Sequence, residues 1–222
     1  MSNIQLLVLD MAGTTIDEDN VVYKTVHKNI VEAGYDISLE DVLLHGAGKE
    51  KHQAIKDTLA AKNITTADTS RIFQAFNGSL DAAYAALQVK TFPGVEHLLL
   101  TLREMGIYVA LNTGYNARIA NLLLNKLGWE KGENYRTLIT ADDVLRGRPH
   151  PDMIKLAMKQ AGVMDSAATL KAGDSAIDIE EGRNAGCGIT VGVTTGAQTR
   201  EQLAVARPTY ILDTLVELLD II

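Results

Sequence analysis

The chain predicts an α/β fold, a doubly wound parallel sheet with an inserted all-helical cap domain. Three observations lead there. Short apolar runs of strand character alternate with helical periodicity from Phe92 onward, and such alternation builds right-handed βαβ crossovers with helices on both faces of the sheet. A further run of the same kind, residues 4–10, stands alone near the start. Between the two, residues 16–90 carry helical periodicity and turn signals but no convincing strand. The predicted organisation is therefore a core of residues 1–15 and 91–222 and a helical cap of residues 16–90. Hinges are expected at residues 15–20 and 89–92, and hinged caps commonly close over sites to exclude water.

The elements follow in order. Residues 4–10 form a buried strand ending in Asp10. In the cap, Val22, Val26, Ile30 and Ala33 mark one amphipathic helix stopped by Gly34, Ile55 and Leu59 belong to another, and the alanine-rich stretch 67–87 makes one or two more. Pro93 opens a helix whose apolar stripe is Val95, Leu98, Leu99, Leu102 and Met105. A strand at 107–113 follows, then a helix through Ile119, Leu122, Leu123 and Leu127 that Gly128 ends. Strands at 136–140, 169–174 and 189–193 complete the set, with a sixth candidate at 210–212.

Composition excludes several function classes. The chain has 222 residues, of which 46% are hydrophobic, enough for a substantial core. Its 28 acidic and 21 basic residues leave a net charge of -7, which disfavours nucleic acid and anionic membrane surfaces as partners. Cys187 is the single cysteine, so no internal disulfide forms, and its Gly186-Cys187-Gly188 setting reads as a small buried residue. The first apolar run is too short for a secretory leader, and no later stretch approaches the roughly 18 apolar residues of a membrane span. A cytoplasmic location is expected. Of the histidines, His27 and His97 fall in helical stretches and His150 follows Pro149, so none has metal-ligand spacing.

Chemistry gathers at the predicted strand ends. Asp10 emerges where a buried strand meets the turn Met11-Ala12-Gly13-Thr14-Thr15. Ligands collect at the carboxyl ends of parallel strands, Gly13 allows backbone amides close to an anion, and the threonines carry hydroxyls. Asn112-Thr113-Gly114-Tyr115 ends the next strand, and Thr113 is placed to meet a phosphate oxygen. Gly147-Arg148-Pro149 brings a guanidinium whose fork suits phosphate. Asp174 and Asp178, four residues apart, suit a hard oxygen-seeking cation such as Mg2+. Each has a plainer reading: a capping aspartate, a turn arginine, a helix cap.

Taken together and in this order, Asp10, Thr113, Arg148 and the Asp174/Asp178 pair resemble the four motifs of the haloacid dehalogenase superfamily, over nearly the whole chain. The resemblance implies a Rossmann-like core and a Mg2+-dependent hydrolase in which Asp10 attacks phosphorus to form an aspartyl-phosphate that water then releases. It also implies that Asp10, the backbone carbonyl of Ala12 and Asp174 hold Mg2+, with Asp178 assisting, and that Thr113, Gly114, Tyr115 and Arg148 shape the phosphate pocket.

One departure narrows the resemblance. Typical phosphatases of the superfamily carry a second aspartate, a general acid, where this chain has Ala12. Asp-Met-Ala-Gly-Thr-Thr, Thr-Gly-Tyr, Asp-Asp-Val, Gly-Arg-Pro and Glu-Gly-Arg-Asn-Ala-Gly are similar to the phosphonatase branch, the phosphonoacetaldehyde hydrolases, whose third motif also holds arginine. That branch cleaves a carbon–phosphorus bond after a cap lysine turns the substrate aldehyde into an imine. In Gly46-Ala47-Gly48-Lys49-Glu50-Lys51-His52 that lysine falls on Lys49, and a proton-handling histidine on His52. Three positions apart on a helix the two share a face, and a desolvated cap would favour the neutral amine. A homodimer through the cap is a further implication.

Two alternatives stay open. Related capped phosphatases carry a similar cap loop in which the cation only binds substrate, giving a phosphomonoesterase or phosphotransferase; His45, Lys51 and the short stretch after Gly196 also depart from the phosphonatase pattern. The missing acid at position 12 fits a weakly catalytic phosphate-ligand sensor as well.

Overall fold

The computed structural model describes residues 3–47 and 49–222, so Gly48 of the cap loop lies outside the described residues. The chain divides into two compact units, Met1–Asp17 with Val89–Ile222, and Glu18–Gln88.

In the first unit, β1 (Leu6–Asp10), β4 (Tyr108–Asn112), β5 (Thr137–Ile139), β6 (Thr169–Gly173), β7 (Ile189–Val193) and β8 (Tyr210–Leu212) form one sheet in the order β5-β4-β1-β6-β7-β8. Every pairing is parallel. β1 is apolar at four successive positions, Leu6 to Leu9, and all are fully buried, as a central strand covered on both faces requires. From β1 the chain builds outward through β4 to β5, then returns to add β6 on the other flank. The carboxyl ends of β1 and β6 thus bound the crevice where strand order reverses.

The strands stop slightly short of their predicted limits. β1 starts at Leu6, not Ile4; β4 ends at Asn112 and β6 at Gly173. Thr113 and Asp174 are consequently the first residues past their strands, outside the ladder, where their side chains can turn toward a ligand. The sheet is flanked by α5 (Val95–Glu104), α6 (Ala117–Leu127), α7 (Asp152–Ala161), α8 (Ala176–Ala185) and α9 (Arg200–Val205). Two apolar stripes differ from expectation. Met105 caps α5 beyond its last packed turn and is exposed. In α6 the buried face is Ile119, Ala120, Leu123 and Leu124, leaving Leu122 and Leu127 half-buried; Leu122-Leu123-Leu124 fits two overlapping stripes, and packing selects the second.

A two-stranded antiparallel ribbon, β2 (Ile16–Asp17) with β3 (Lys90–Thr91), pairs Ile16 with Thr91 and Asp17 with Lys90. It holds both crossing points of the chain, and residues 16, 17, 89 and 90, expected in the insertion, fall in the first unit.

The second unit contains α1 (Val21–Glu32), α2 (Leu39–Gly46), α3 (Lys51–Ala61) and α4 (Thr69–Ala86). Its interior is built from Val22, Val26, Ile30, Ile55, Leu59, Ile72 and Phe76. α1 ends before Ala33, which is exposed, and Gly34 adopts φ 93°. The alanine-rich stretch is one helix, opened by Asp68 accepting the Arg71 N–H. α2 has no counterpart among the predicted elements: Ser38 and Asp41 form a reciprocal capping box that starts it. Among the described residues, no helix is long and apolar enough to cross a membrane.

Candidate active site

The turn after β1 closes on itself. The amides of Thr14, Thr15 and Ile16 all donate to the Met11 carbonyl, and that of Gly13 donates to Ile16 O. The Thr15 hydroxyl donates to Asp10 O at 2.9 Å. The Gly13 amide and the Thr15 hydroxyl are thus engaged in shaping the turn. Of the turn's two threonine hydroxyls, that of Thr14, fully buried, makes no hydrogen bond to the described residues. Gly13 sits at φ 79°, and a Cβ there would lie 2.3 Å from Asp174 Oδ2. Glycine is required both by the left-handed backbone and by the close approach of the two loops.

Three carboxylates meet over this turn. One oxygen each of Asp10, Asp174 and Asp178 lies within 4.8 Å of the others, and all three side chains are buried. Asp10 arrives from β1 and Asp174 from the end of β6; Asp178 comes from the first turn of α8. Asp174 Oδ2 accepts the Ala197 amide at 2.6 Å, and Asp178 Oδ2 accepts the Ser175 hydroxyl at 2.5 Å.

Arg148 is bound into the same cluster. Its Nη2 lies 2.7 Å from Asp10 Oδ1, its Nη1 2.9 Å from Asp178 Oδ1 and its Nε 3.1 Å from Glu181 Oε2. Nη2 also donates to the carbonyl of Asn112 at 2.7 Å and to its side-chain oxygen. The guanidinium that the sequence assigns to phosphate here grips carboxylates. Beneath it Lys171, fully buried in β6, reaches Asp178 Oδ1 at 2.9 Å, Glu181 Oε2 at 3.5 Å and Asn112 Oδ1 at 3.0 Å.

The electrostatics follow from burial. Removal from water lifts the Asp10 carboxyl to about 6 against the pull of Arg148, and neighbouring Asp178 adds to the rise. Asp174 is held well above the ordinary carboxylate value by burial and by the charges of Asp10 and Asp178. Asp178 goes the other way: burial opposes its ionisation, but Arg148 and Lys171 outweigh it. Burial likewise works against the charge of Arg148, and Asp178, Asp10 and Glu181 override it, so the guanidinium is held more firmly protonated than usual. Four carboxylates (Asp10, Asp174, Asp178, Glu181) facing two cations (Arg148, Lys171) leave a formal charge of −2 when all are ionised. All-oxygen donors carrying that surplus fit one hard divalent cation, with Asp10 and Asp174 the less committed ligands.

Of the other predicted residues, Thr113 is buried, and its hydroxyl accepts the Tyr115 amide at 3.1 Å; Gly114 is exposed and Tyr115 half-buried beside it. Asp142 accepts the Ala117 amide and Asp143 accepts from Thr140, so both acidic residues of that loop organise turns. Cys187 packs against an apolar cluster, only partly buried, and burial pushes its thiol up to about 12, away from nucleophilic chemistry.

In the second unit, Lys49 Nζ lies 2.5 Å from Asp57 Oδ2. The other Asp57 oxygen accepts Gln53 Nε2 at 2.7 Å. The Lys49 bond holds Asp57 below the usual carboxylate range. His52 stacks on Phe73 with ring centroids 5.0 Å apart, and its Nε2 lies 3.3 Å from Thr69 Oγ1. The expectation that Lys49 and His52 share a helix face fails. Glu50 accepts the amides of His52 and Gln53 and thereby caps α3, which starts at Lys51 and leaves Lys49 outside the helix.

Sequence reasoning passes over Lys171, Asn112 and Glu181 as working residues. The available signal is Lys171 itself, since a lysine in the middle of a strand buried on both faces needs anionic partners nearby.

The sequence matches the family of haloacid dehalogenase-like hydrolases over residues 7–192. It is 29% identical over 206 residues to the phosphonoacetaldehyde hydrolase of Latilactobacillus sakei subsp. sakei (strain 23K), covering 87% of this chain and 76% of that protein. A phosphonoacetaldehyde hydrolase-like protein from Oleispira antarctica superposes with a TM-score of 0.83 at 25% identity, over 99% of this chain and 91% of that one. A predicted phosphoglycolate phosphatase from Haemophilus somnus 129pt superposes with a TM-score of 0.80 over 100% and 99% of the two chains, and at 18% identity it shares the fold.

Proposed function

The chain belongs to the haloacid dehalogenase-like hydrolase family, and within that family of hydrolases we propose that it is a Mg2+-dependent phosphonatase-like enzyme cleaving phosphonoacetaldehyde or a related phosphonate to an aldehyde and phosphate. The observation that carries the reading is the pairing of Asp10 with Arg148 at 2.7 Å beside Ala12, a position with no proton to give. A leaving group that departs as an enamine needs no acid there. The identity to phosphonoacetaldehyde hydrolases supports it.

The Lys49 amine adds to the substrate aldehyde and expels water to leave an imine, with His52 handling protons. Asp10 Oδ attacks phosphorus; the carbon–phosphorus bond breaks and its electron pair moves onto carbon, giving the enamine and an aspartyl-phosphate. Water attacks that phosphorus and frees phosphate. Protonation of the enamine and hydrolysis of the imine release the aldehyde and restore Lys49. Arg148 neutralises charge on Asp10 and the phosphoryl oxygens, and Thr113, Gly114 and Tyr115 line the phosphoryl position. Asp10, the Ala12 carbonyl and Asp174 would hold Mg2+, with Asp178 fixed behind them; when bound, the cation offsets the anionic charge of nucleophile and phosphoryl group.

One observation favours a second reading. Lys49 is paired with Asp57, an arrangement suited to a charged, substrate-binding cation in a phosphomonoesterase or phosphotransferase. Phosphate release from phosphonoacetaldehyde with Mg2+, compared among wild type, Lys49→Arg and Asp10→Asn, separates the two. The proposal expects release by the wild type alone and a borohydride-trapped adduct on Lys49. Turnover of a phosphate ester that survives Lys49→Arg, with no adduct, would establish the second reading. Loss of all turnover would leave the weakly catalytic sensor.

A further inference from the structure

Lys171 and Arg148 share three partner residues, Asp178 and Glu181 as ion pairs and Asn112 Oδ1 as a hydrogen-bond acceptor. Asp178 Oδ1 lies 2.9 Å from each cation, Glu181 Oε2 lies 3.5 Å from Lys171 and 3.1 Å from Arg148, and Asn112 Oδ1 accepts from both. Asn112 Nδ2 also donates to Glu181 Oε1 at 3.1 Å. Among the carboxylates of the described residues, Asp10 is the one that Arg148 contacts and Lys171 does not. An ammonium buried in this way costs several kcal/mol unless paired, and an aliphatic side chain would suit the strand better. The start of the Lys171 side chain is also closely packed. A Cβ on Gly182 of α8 would lie 2.9 Å from Lys171 Cβ, and one on Gly173 would lie 2.2 Å from Asp178 Cγ, so helix and strand are in close contact around it.

Resting on the reading of Asp10 as nucleophile, we propose that Lys171 is a positioning residue: by sharing Asp178, Glu181 and Asn112 with Arg148, it leaves one edge of the guanidinium free to be aimed at Asp10. Without the ammonium, Asp178 and Glu181 have Arg148 as their only cation in this cluster. They then compete with Asp10 for it and draw the guanidinium away from the nucleophile. Lys171 touches neither substrate nor the reacting atoms.

The test pairs Lys171→Met/Glu181→Gln, which removes one cation and one anion together and keeps the formal charge, with Lys171→Gln, which keeps a polar end without the charge. The probes are Mg2+ alone and Mg2+ with beryllofluoride, which coordinates an aspartate carboxylate as a phosphoryl group would; both are read as shifts in unfolding temperature, alongside kcat and KM for phosphate release. The expected result is a folded double variant that needs on the order of 10 to 100 times more beryllofluoride for its half-maximal shift, with kcat falling by a like factor and KM little changed. Lys171→Gln shows the same losses and stands in if the double variant does not fold. Wild-type beryllofluoride response and kcat in either variant would overturn the proposal and reduce Lys171 to charge balance. A wild type that answers Mg2+ but not beryllofluoride would overturn the Asp10 reading beneath it, and this proposal with it.

Discussion

The two ion pairs that matter most differ in surroundings and hardly in length. Asp10 and Arg148 lie 2.7 Å apart with side chains 7% and 8% exposed; Lys49 and Asp57 lie 2.5 Å apart with side chains 41% and 33% exposed. In the buried case desolvation raises Asp10 to about 6 even with a guanidinium in contact, and a network of six charged groups is needed to hold the site together. In the half-exposed case water screens the pair, the two side chains give up rotamer freedom to make it, and such contacts contribute about 0–1 kcal/mol. Contact distance therefore says little about either pair. The Asp10 site is a buried, densely paired charge cluster, whereas Lys49 sits in a half-exposed pair that solvent can reach.

The strongest break in that comparison is Asp10→Asn. If the cluster exists to serve one nucleophile, phosphate release falls by on the order of 10⁴ or more. The same substitution is expected to raise, or at least preserve, the unfolding temperature of the cation-free protein at pH 7. An Asp whose folded value is about 6, against an ordinary value of 3.8, binds extra protons in the folded state between those values. Its ionised form thus costs stability above pH 6, and the uncharged amide removes that cost. Lower thermal stability in the variant would show that the Arg148 contact outweighs desolvation. Gly13→Ala comes next, since φ 79° and the 2.3 Å approach to Asp174 Oδ2 together should cost about 1–3 kcal/mol. That is a fall of roughly 5 °C in unfolding temperature, with loss of any Mg2+-dependent rise. A variant that kept the Mg2+ response would place the cation elsewhere.

Much of this contrast is legible in the sequence, and the rest is hidden for identifiable reasons. Asp10 and Asp174 end predicted strands, Arg148 and Asp178 lie in the segments that follow them, and α/β sheets put their chemistry there. Lys171 and Asn112 lie within strands, where a reading based on apolar runs treats a lone polar residue as noise; three-dimensional pairing gives them partners from α8. Glu181 is one acidic residue among several on a helix. In the cap, Glu50 looks like part of a charged run, yet it caps α3 and so moves Lys49 off the helix. The β2–β3 ribbon has two residues per strand, too few for any periodicity to register.

A smaller effect sharpens the electrostatic side. If Asp10 is a Mg2+ ligand, as proposed, it binds the cation only when ionised, so the cation and a proton compete for it. Half-saturation by Mg2+, followed as thermal stabilisation, is expected to be nearly flat above pH 7. Below about 6 the required concentration should rise by up to about tenfold per pH unit for the single proton on Asp10, and more steeply if Asp174, also raised, titrates with it. A flat profile down to pH 5 would mean that Asp10 is not among the ligands.

The smallest expected effect lies at the cap pair. Asp57→Asn should change global stability by no more than about 1 kcal/mol, some 2–4 °C, because Lys49 and Asp57 are both partly solvated and Gln53 remains as a partner for the amide. Its kinetic consequence is the informative one. If Lys49 forms an imine, loss of the carboxylate frees its Nζ from the Asp57 contact, so borohydride trapping of phosphonoacetaldehyde should be at least as fast as in the wild type. If Lys49 only binds an anionic substrate, no adduct forms, and with the competing carboxylate gone KM for a phosphate ester falls by a few-fold. A large loss of stability would contradict both outcomes and would show that the half-exposed pair, like the buried one, supports the structure around it.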